Sequence, residues 1–222
     1  MLWQQIGFVA MGFLLGSILF SYHIPLWMKH IDIVKESLDH NPGTFNAIHL
    51  AGLPVGLLCL AADLAKGFLP VWLSIRCLGF AFPLLPLVLA APVAGHAFTP
   101  WYGFRGGKAI AASFGSLMGL LPFSWAVLIL AFWYVLFAAV IGLMPHEWCS
   151  VVSFFCFAAS CAVLAIVFRD GRLLPGYAVL AAMPIYKNYR DLLAPRDAAS
   201  LTRRERAVRL GRKEEQEGAD RI

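Results

Sequence analysis

Charge is scarce in this 222-residue chain: 14% of its residues are Asp, Glu, Lys or Arg, against ~25% in an average soluble domain. The counterpart is an apolar content of 60% and a mean hydropathy of +0.72. Together these exclude a water-soluble enzyme, a disordered regulator and a free-standing nucleic-acid module. Cysteine is equally uninformative as a staple or metal ligand. Cys59, Cys77, Cys149, Cys156 and Cys161 are odd in number, sit in or beside apolar runs and form no C-x-x-C, so they read as helix thiols. The six histidines show no H-E-x-x-H and no Cys/His cluster, which excludes a zinc site. None has an Asp five residues on, so an H-x-x-x-x-D acid–base pair is excluded too.

Long apolar runs are what the chain does have. A spanning helix takes roughly 20 residues, so seven would use about 140. Residues 1–186 carry 8 Lys/Arg and 6 Asp/Glu, leaving room for that number. The runs place spans at about 3–27, 50–75, 77–95, 109–121, 123–143, 149–168 and 173–186. The first has no charge before Lys29 and no A-x-A cleavage signal, and reads as a retained span. The fold class expected is an all-α, polytopic integral membrane protein with about seven transmembrane helices. With the N-terminus outside, Lys29, Lys35, Arg105, Lys108 and the basic tail all fall inside. Only Arg76, Arg169 and Arg172 then lie outside, so the positive-inside rule favours N-out, C-in. Residues 1–190 form one membrane domain and 191–222 a basic cytoplasmic tail. The tail reads either as a surface helix on anionic lipid or as a solvated end. The net charge of +5 and pI of about 9.1 then reflect topology and lipid headgroups, with no nucleic-acid partner.

Three polar constellations fall on the expected cytoplasmic face or under it. Asp63 and Lys66, at i and i+3 on one helix face, are ionisable residues within a span; they are either a neutralised packing pair or the wall beneath a polar site. Gly95-His96 and Gly103-Phe104-Arg105-Gly106-Gly107-Lys108 precede an apolar run. Glycines there let backbone N–H groups converge on an anion, and the next helix adds its dipole. The loop is not a Walker A, because Tyr102 and Ala109 stand where Gly and Ser/Thr are required; its bland alternative is an interfacial turn anchored to headgroups. Asn41-Pro42-Gly43-Thr44-Phe45-Asn46 reads as a turn whose amides can also bind hydroxyls or phosphate. Ser150 and Ser153 open the sixth run, suited to capping or ligand binding.

In order and spacing, Gly16-Ser17, Asn41-Pro42-Gly43 with Asn46, Asp63-Leu64-Ala65-Lys66-Gly67, Gly95-His96-Ala97-Phe98 and Phe104-Arg105-Gly106-Gly107-Lys108 resemble the bacterial acyl-phosphate:glycerol-3-phosphate acyltransferase family (PlsY). The resemblance covers roughly residues 12–192, with Ser150 and Ser153 matching a serine pair and Asn188 a final Asn. It implies a multi-pass enzyme of the bacterial inner membrane, working in phospholipid synthesis. Such an enzyme moves an acyl chain from acyl phosphate to glycerol 3-phosphate, giving lysophosphatidate and phosphate. It implies no CoA, cofactor or metal, and a monomer is expected. His96, Lys108, Ser150 and Asn188 are then catalytic. Asn41, Gly43, Asn46, Asp63, Lys66, Arg105, Gly106 and Gly107 bind or support substrate phosphate. The chain departs from the family's pattern in the first loop, where Leu38, Asp39 and His40 precede the Asn and His49 replaces an Arg. Elsewhere Ala109 and Ala112 replace a Gly and a Thr, Glu147 an Arg, and Ile185 a His. Asp39 and Glu147 are expected to weaken anion binding unless a cation pairs with them; protonated His40, His49 and His146 are the expected candidates. A non-catalytic paralogue that binds lipid or a protein, and an enzyme with another phosphorylated acceptor, remain open. A transporter is disfavoured by the lack of an inverted repeat.

Overall fold

The computed structural model describes residues 1–37 and 39–193. The tail from 194 onward, with its expected surface helix, lies outside the described residues. Ten α-helices follow in order: α1 (Leu2–Gly16), α2 (Phe20–Lys29), α3 (Ile33–Glu36), α4 (Thr44–Ala51), α5 (Leu53–Leu78), α6 (Leu85–Ala97), α7 (Ile110–Met118), α8 (Ala126–Val135), α9 (His146–Val167) and α10 (Leu174–Leu193). The all-helical expectation holds among the described residues. Residues 191–193 belong to α10.

The helices are less uniform than seven equal spans. By length and composition α5 and α9 can each cross a membrane. The expected first span is the pair α1–α2, bent by 41°, which makes a third if counted as one. The expected fourth span is a helix of 9 residues, about 13 Å long, well short of a bilayer's ~30 Å hydrocarbon core. The end of its run, residues 119–121, is turn, and the turn continues to 123. Hydropathy counts such turns as span because their residues are apolar all the same.

Helix α6 lies at the centre. Leu85, Val88, Leu89, Val93 and Ala97 are all buried, and α1, α5, α7 and α10 pack around it. Two close crossings fix these neighbours. A side chain on Gly16 of α1 would run into the carbonyl of Pro92, and one on Gly95 into that of Phe13. Gly67 of α5 and Gly115 of α7 meet the backbones of Ala112 and Leu64 in the same way. Small residues permit such backbone contact between helices in lipid. The outward faces stay apolar: Leu57, Leu58 and Leu69 of α5, Leu128 and Phe132 of α8, and Phe155 and Val163 of α9 are exposed. These faces suit lipid chains as their solvent.

The break between α1 and α2 also builds the site. A helix end leaves carbonyls without partners, and here two are taken up from distant elements. Thr99 Oγ1 donates to Ser17 O at 2.9 Å, and Lys66 Nζ to Ile18 O at 2.6 Å.

Candidate functional site

The floor is the Asp63–Lys66 pair on α5, at 2.8 Å, with both residues under 4% exposed. Ser21 of α2 donates to the second Asp63 oxygen at 2.6 Å, and the Lys66 ammonium lies 5.7 Å from the centre of the Phe20 ring. Each ion is thus held by protein partners, with Lys66 capping the broken first span. The pair packs α5 onto the kink between α1 and α2.

His96, at the end of α6, stands on this floor and is 3% exposed. Its Nδ1 lies 3.9 Å from Asp63 Oδ1 and makes no hydrogen bond among the described residues. Its Nε2 faces Gly107, where a side chain would collide with it. The carbonyl of His96 occupies the space that a side chain on Gly106 would need. The two glycines are therefore required for the loop to fold back over the histidine. Gly106 N–H donates to Ala97 O at 3.2 Å. Ala109 is left-handed, with φ of 59°, and turns the chain into α7. Among the described residues the amides of Gly107, Lys108 and Ala109 donate to no protein acceptor. Three consecutive N–H groups at a helix N-terminus are what an anion site requires.

The cations around this loop are disposed unequally. Arg105 is exposed. Lys187 of α10 is buried, donating to Gly106 O at 3.2 Å and lying 5.0 Å from the Phe98 ring centre. Lys108 is engaged by carboxylates from three segments. Its Nζ lies 3.2 Å from Asp39 Oδ2, 3.2 Å from Glu147 Oε1 and 3.3 Å from Asp191 Oδ2. Burial alone would lower its pKa; the three carboxylates more than reverse this and hold it above its ordinary value.

The first loop is organised by Asp39. Its Oδ1 accepts from Asn46 Nδ2 at 2.7 Å and from the Asn41 amide at 3.3 Å. Asn46 Nδ2 also reaches Asn41 O at 2.8 Å, closing the turn through Gly43. The Asn41 side-chain oxygen approaches Gly107 and so joins this loop to the glycine loop. The expectation that histidines would neutralise the added carboxylates is corrected for two of them. His40 Nδ1 pairs with Val34 O and His49 Nδ1 with Phe45 O, whereas Asp39 and Glu147 take Lys108.

Two other expected catalytic residues bond locally. Ser150 Oγ is 2.7 Å from Tyr134 OH and donates to His146 O. It sits inside α9, whose cap is Pro145. Asn188 Nδ2 donates to Pro184 O on its own helix. Conversely, Lys187 and Asp191 went unrecognised because the last apolar run ends before them. Their i, i+4 spacing on one helix face was the available signal. A cavity of ≈ 640 Å³ opens at the opposite end of the bundle, lined by Phe82, Leu85, Trp125, Leu173 and Tyr177. Its hydroxyls, Ser124 and Tyr177, bond each other at 2.8 Å; such walls suit hydrocarbon better than phosphate.

Comparison with known proteins shows the family and the fold. A family model described as glycerol-3-phosphate acyltransferase matches residues 6–194. Glycerol-3-phosphate acyltransferase 2 of Thermotoga maritima is 41% identical over 113 residues, 51% of this chain and 57% of that protein. The glycerol-3-phosphate acyltransferase of Shouchella clausii is 38% identical over 122 residues, 54% of this chain and 59% of that one. The matched stretch thus spans less than three-fifths of either relative. The crystal structure of PlsY, an integral membrane glycerol 3-phosphate acyltransferase, in its glycerol 3-phosphate form superposes with a TM-score of 0.72 at 22% identity. It covers 85% of this chain and 90% of that one. Its lysophosphatidic acid form gives 0.67. The fold is shared.

Proposed function

Because the chain belongs to the glycerol-3-phosphate acyltransferase family, we propose that it transfers an acyl chain from acyl phosphate to glycerol 3-phosphate, yielding lysophosphatidate and inorganic phosphate. The supporting observation is the Gly106–Gly107 loop folded over His96, with amides before α7 that donate to no protein acceptor among the described residues. An acyl phosphate is already activated, so the protein need not supply a nucleophile. It must bind phosphate, bring a hydroxyl to the carbonyl and leave the acyl chain among apolar faces. The acceptor oxygen attacks the carbonyl carbon, the carbon–oxygen bond to phosphate breaks, and the departing phosphate takes that electron pair and the hydroxyl proton. The amides of residues 107–109 face one phosphate, with Lys108 and Arg105 as cations within reach of the loop. Asn41, Gly43 and Asn46 shape the neighbouring acceptor subsite. His96 orients the loop; Asp63 and Lys66 support it from below. Ser150 and Asn188 act by holding α9 and α10. The chain works as a monomer in the bacterial inner membrane, N-out and C-in, with the loops 28–49 and 96–108 on the cytoplasmic side.

A second reading, a non-catalytic paralogue, draws support from the three carboxylates on Lys108. The two are separated by phosphate release from palmitoyl phosphate, measured with and without glycerol 3-phosphate beside a Lys108→Ala control. Acceptor-dependent release that the variant loses supports the enzyme. No release above the variant, with any phosphorylated alcohol, supports the paralogue.

A further inference from the structure

The side chain of Lys108 is 13% exposed and is surrounded by three separate elements. Asp39 comes from the first loop, Glu147 from the first turn of α9 and Asp191 from the last turn of α10. An ammonium has three donors, and three carboxylates lie within 3.3 Å of it. Arg190 reaches Asp191 only at 4.0 Å, Lys187 faces Gly106 O, and Arg105 is exposed. Three carboxylates from three elements thus meet one ammonium beside the anion loop. The amides of residues 107–109, without a protein acceptor among the described residues, belong to the same short segment, so a phosphate there and the carboxylates compete for one ammonium.

We propose that Asp39, Glu147 and Asp191 are positioning residues that set the loop's affinity for phosphate: they hold Lys108 in a ring of ion pairs that an arriving phosphate opens and a departing one closes. The ring makes phosphate a loose ligand and favours release of the inorganic product. It links three elements through one side chain, so opening it also frees the first loop from α9 and α10. The inference rests on the reading of this loop as a phosphate site.

The test uses the full chain in detergent at one pH and salt concentration, with inorganic phosphate as the probe and its affinity read by phosphorus NMR titration. Asp39→Asn, Glu147→Gln and Asp191→Asn should each tighten phosphate about fivefold, the scale of one partly exposed ion pair. Asp191→Glu, which keeps the charge, should return the affinity to that of the unaltered chain. In turnover, the neutral variants should lower the phosphate inhibition constant and the KM for glycerol 3-phosphate more than they change kcat. If Glu147→Gln fails to fold, Asp39→Asn carries the test, since that carboxylate is 35% exposed. Unchanged or weaker phosphate binding in correctly folded Asp39→Asn and Asp191→Asn overturns the proposal. So does tightening of equal size when Lys108 is also changed to Met, because the carboxylates would then act without the lysine. Tightened phosphate binding with no turnover in any form upholds the ring and defeats the acyltransferase reading. Turnover with unaltered phosphate affinity does the reverse.

Discussion

Replacing Lys66 by Met tests the floor of the site most directly. The change keeps the length and packing of the stem but removes the charge that lies 2.8 Å from Asp63 and the donor that reaches Ile18 O at 2.6 Å. Asp63 is 1% exposed and would keep Ser21, with His96 Nδ1 no nearer than 3.9 Å. A buried ion left without its partner costs about 3–5 kcal/mol. For a chain of this size each kcal/mol shifts the melting midpoint by about 2–4 °C, so the variant should melt roughly 6–20 °C lower. A thiol-reactive fluorophore reads this in detergent, since Cys59, Cys149 and Cys161 are free and buried until the fold opens. The double variant Lys66→Met with Asp63→Leu removes both charges, and replacing a buried pair by apolar groups is often nearly neutral. It should recover at least half of the loss. A single variant melting within 2 °C of the parent, or a double variant as unstable as the single, refutes the reasoning.

Thr99→Val removes the donor to Ser17 O at the helix break; about 1 kcal/mol of stability should go with it, seen as a midpoint 2–4 °C lower. Ser150→Ala should change acyl transfer less than threefold while lowering the midpoint by a similar few degrees, because its hydroxyl is engaged by Tyr134 and His146. A hundredfold loss of turnover with an unchanged midpoint would return Ser150 to the chemistry. Lys108 is held above its ordinary 10.5 by carboxylates that outweigh its burial. A cation with a raised folded pKa contributes stability in full below its unfolded pKa and loses it as pH rises through the folded one. Melting from pH 8 to 11.5 should therefore show the Lys108 contribution intact to about its ordinary value and falling above it, with that alkaline limb flattened in Lys108→Met. An identical limb in both forms would count against the ion-pair ring.

The amino-acid sequence by itself determined the class of molecule: apolar runs with scarce charge leave only a membrane helical protein. It also determined the loop chemistry, since Gly106, Gly107 and the residues that follow carry their amide donors and small size wherever the chain places them. The spacing of Asp63 and Lys66 put both on one face of a helix before any contact was known. Where helices end was another matter. Composition cannot separate an apolar turn from an apolar helix, so the break at Ser17–Leu19 and the short α7 emerged only from packing. Pairing across the sequence was likewise decided by the tertiary structure. Lys108 meets Asp39 from 69 residues away and Glu147 from 39, and local periodicity holds no record of such distances. Asp191 joins them because α10 runs past the end of its apolar segment, carrying one more turn of polar residues to the loop. The sequence supplied the lysine and the carboxylates; the crossing of α9, α10 and the first loop made them one cluster, because ion pairs form only where packing brings their ends together.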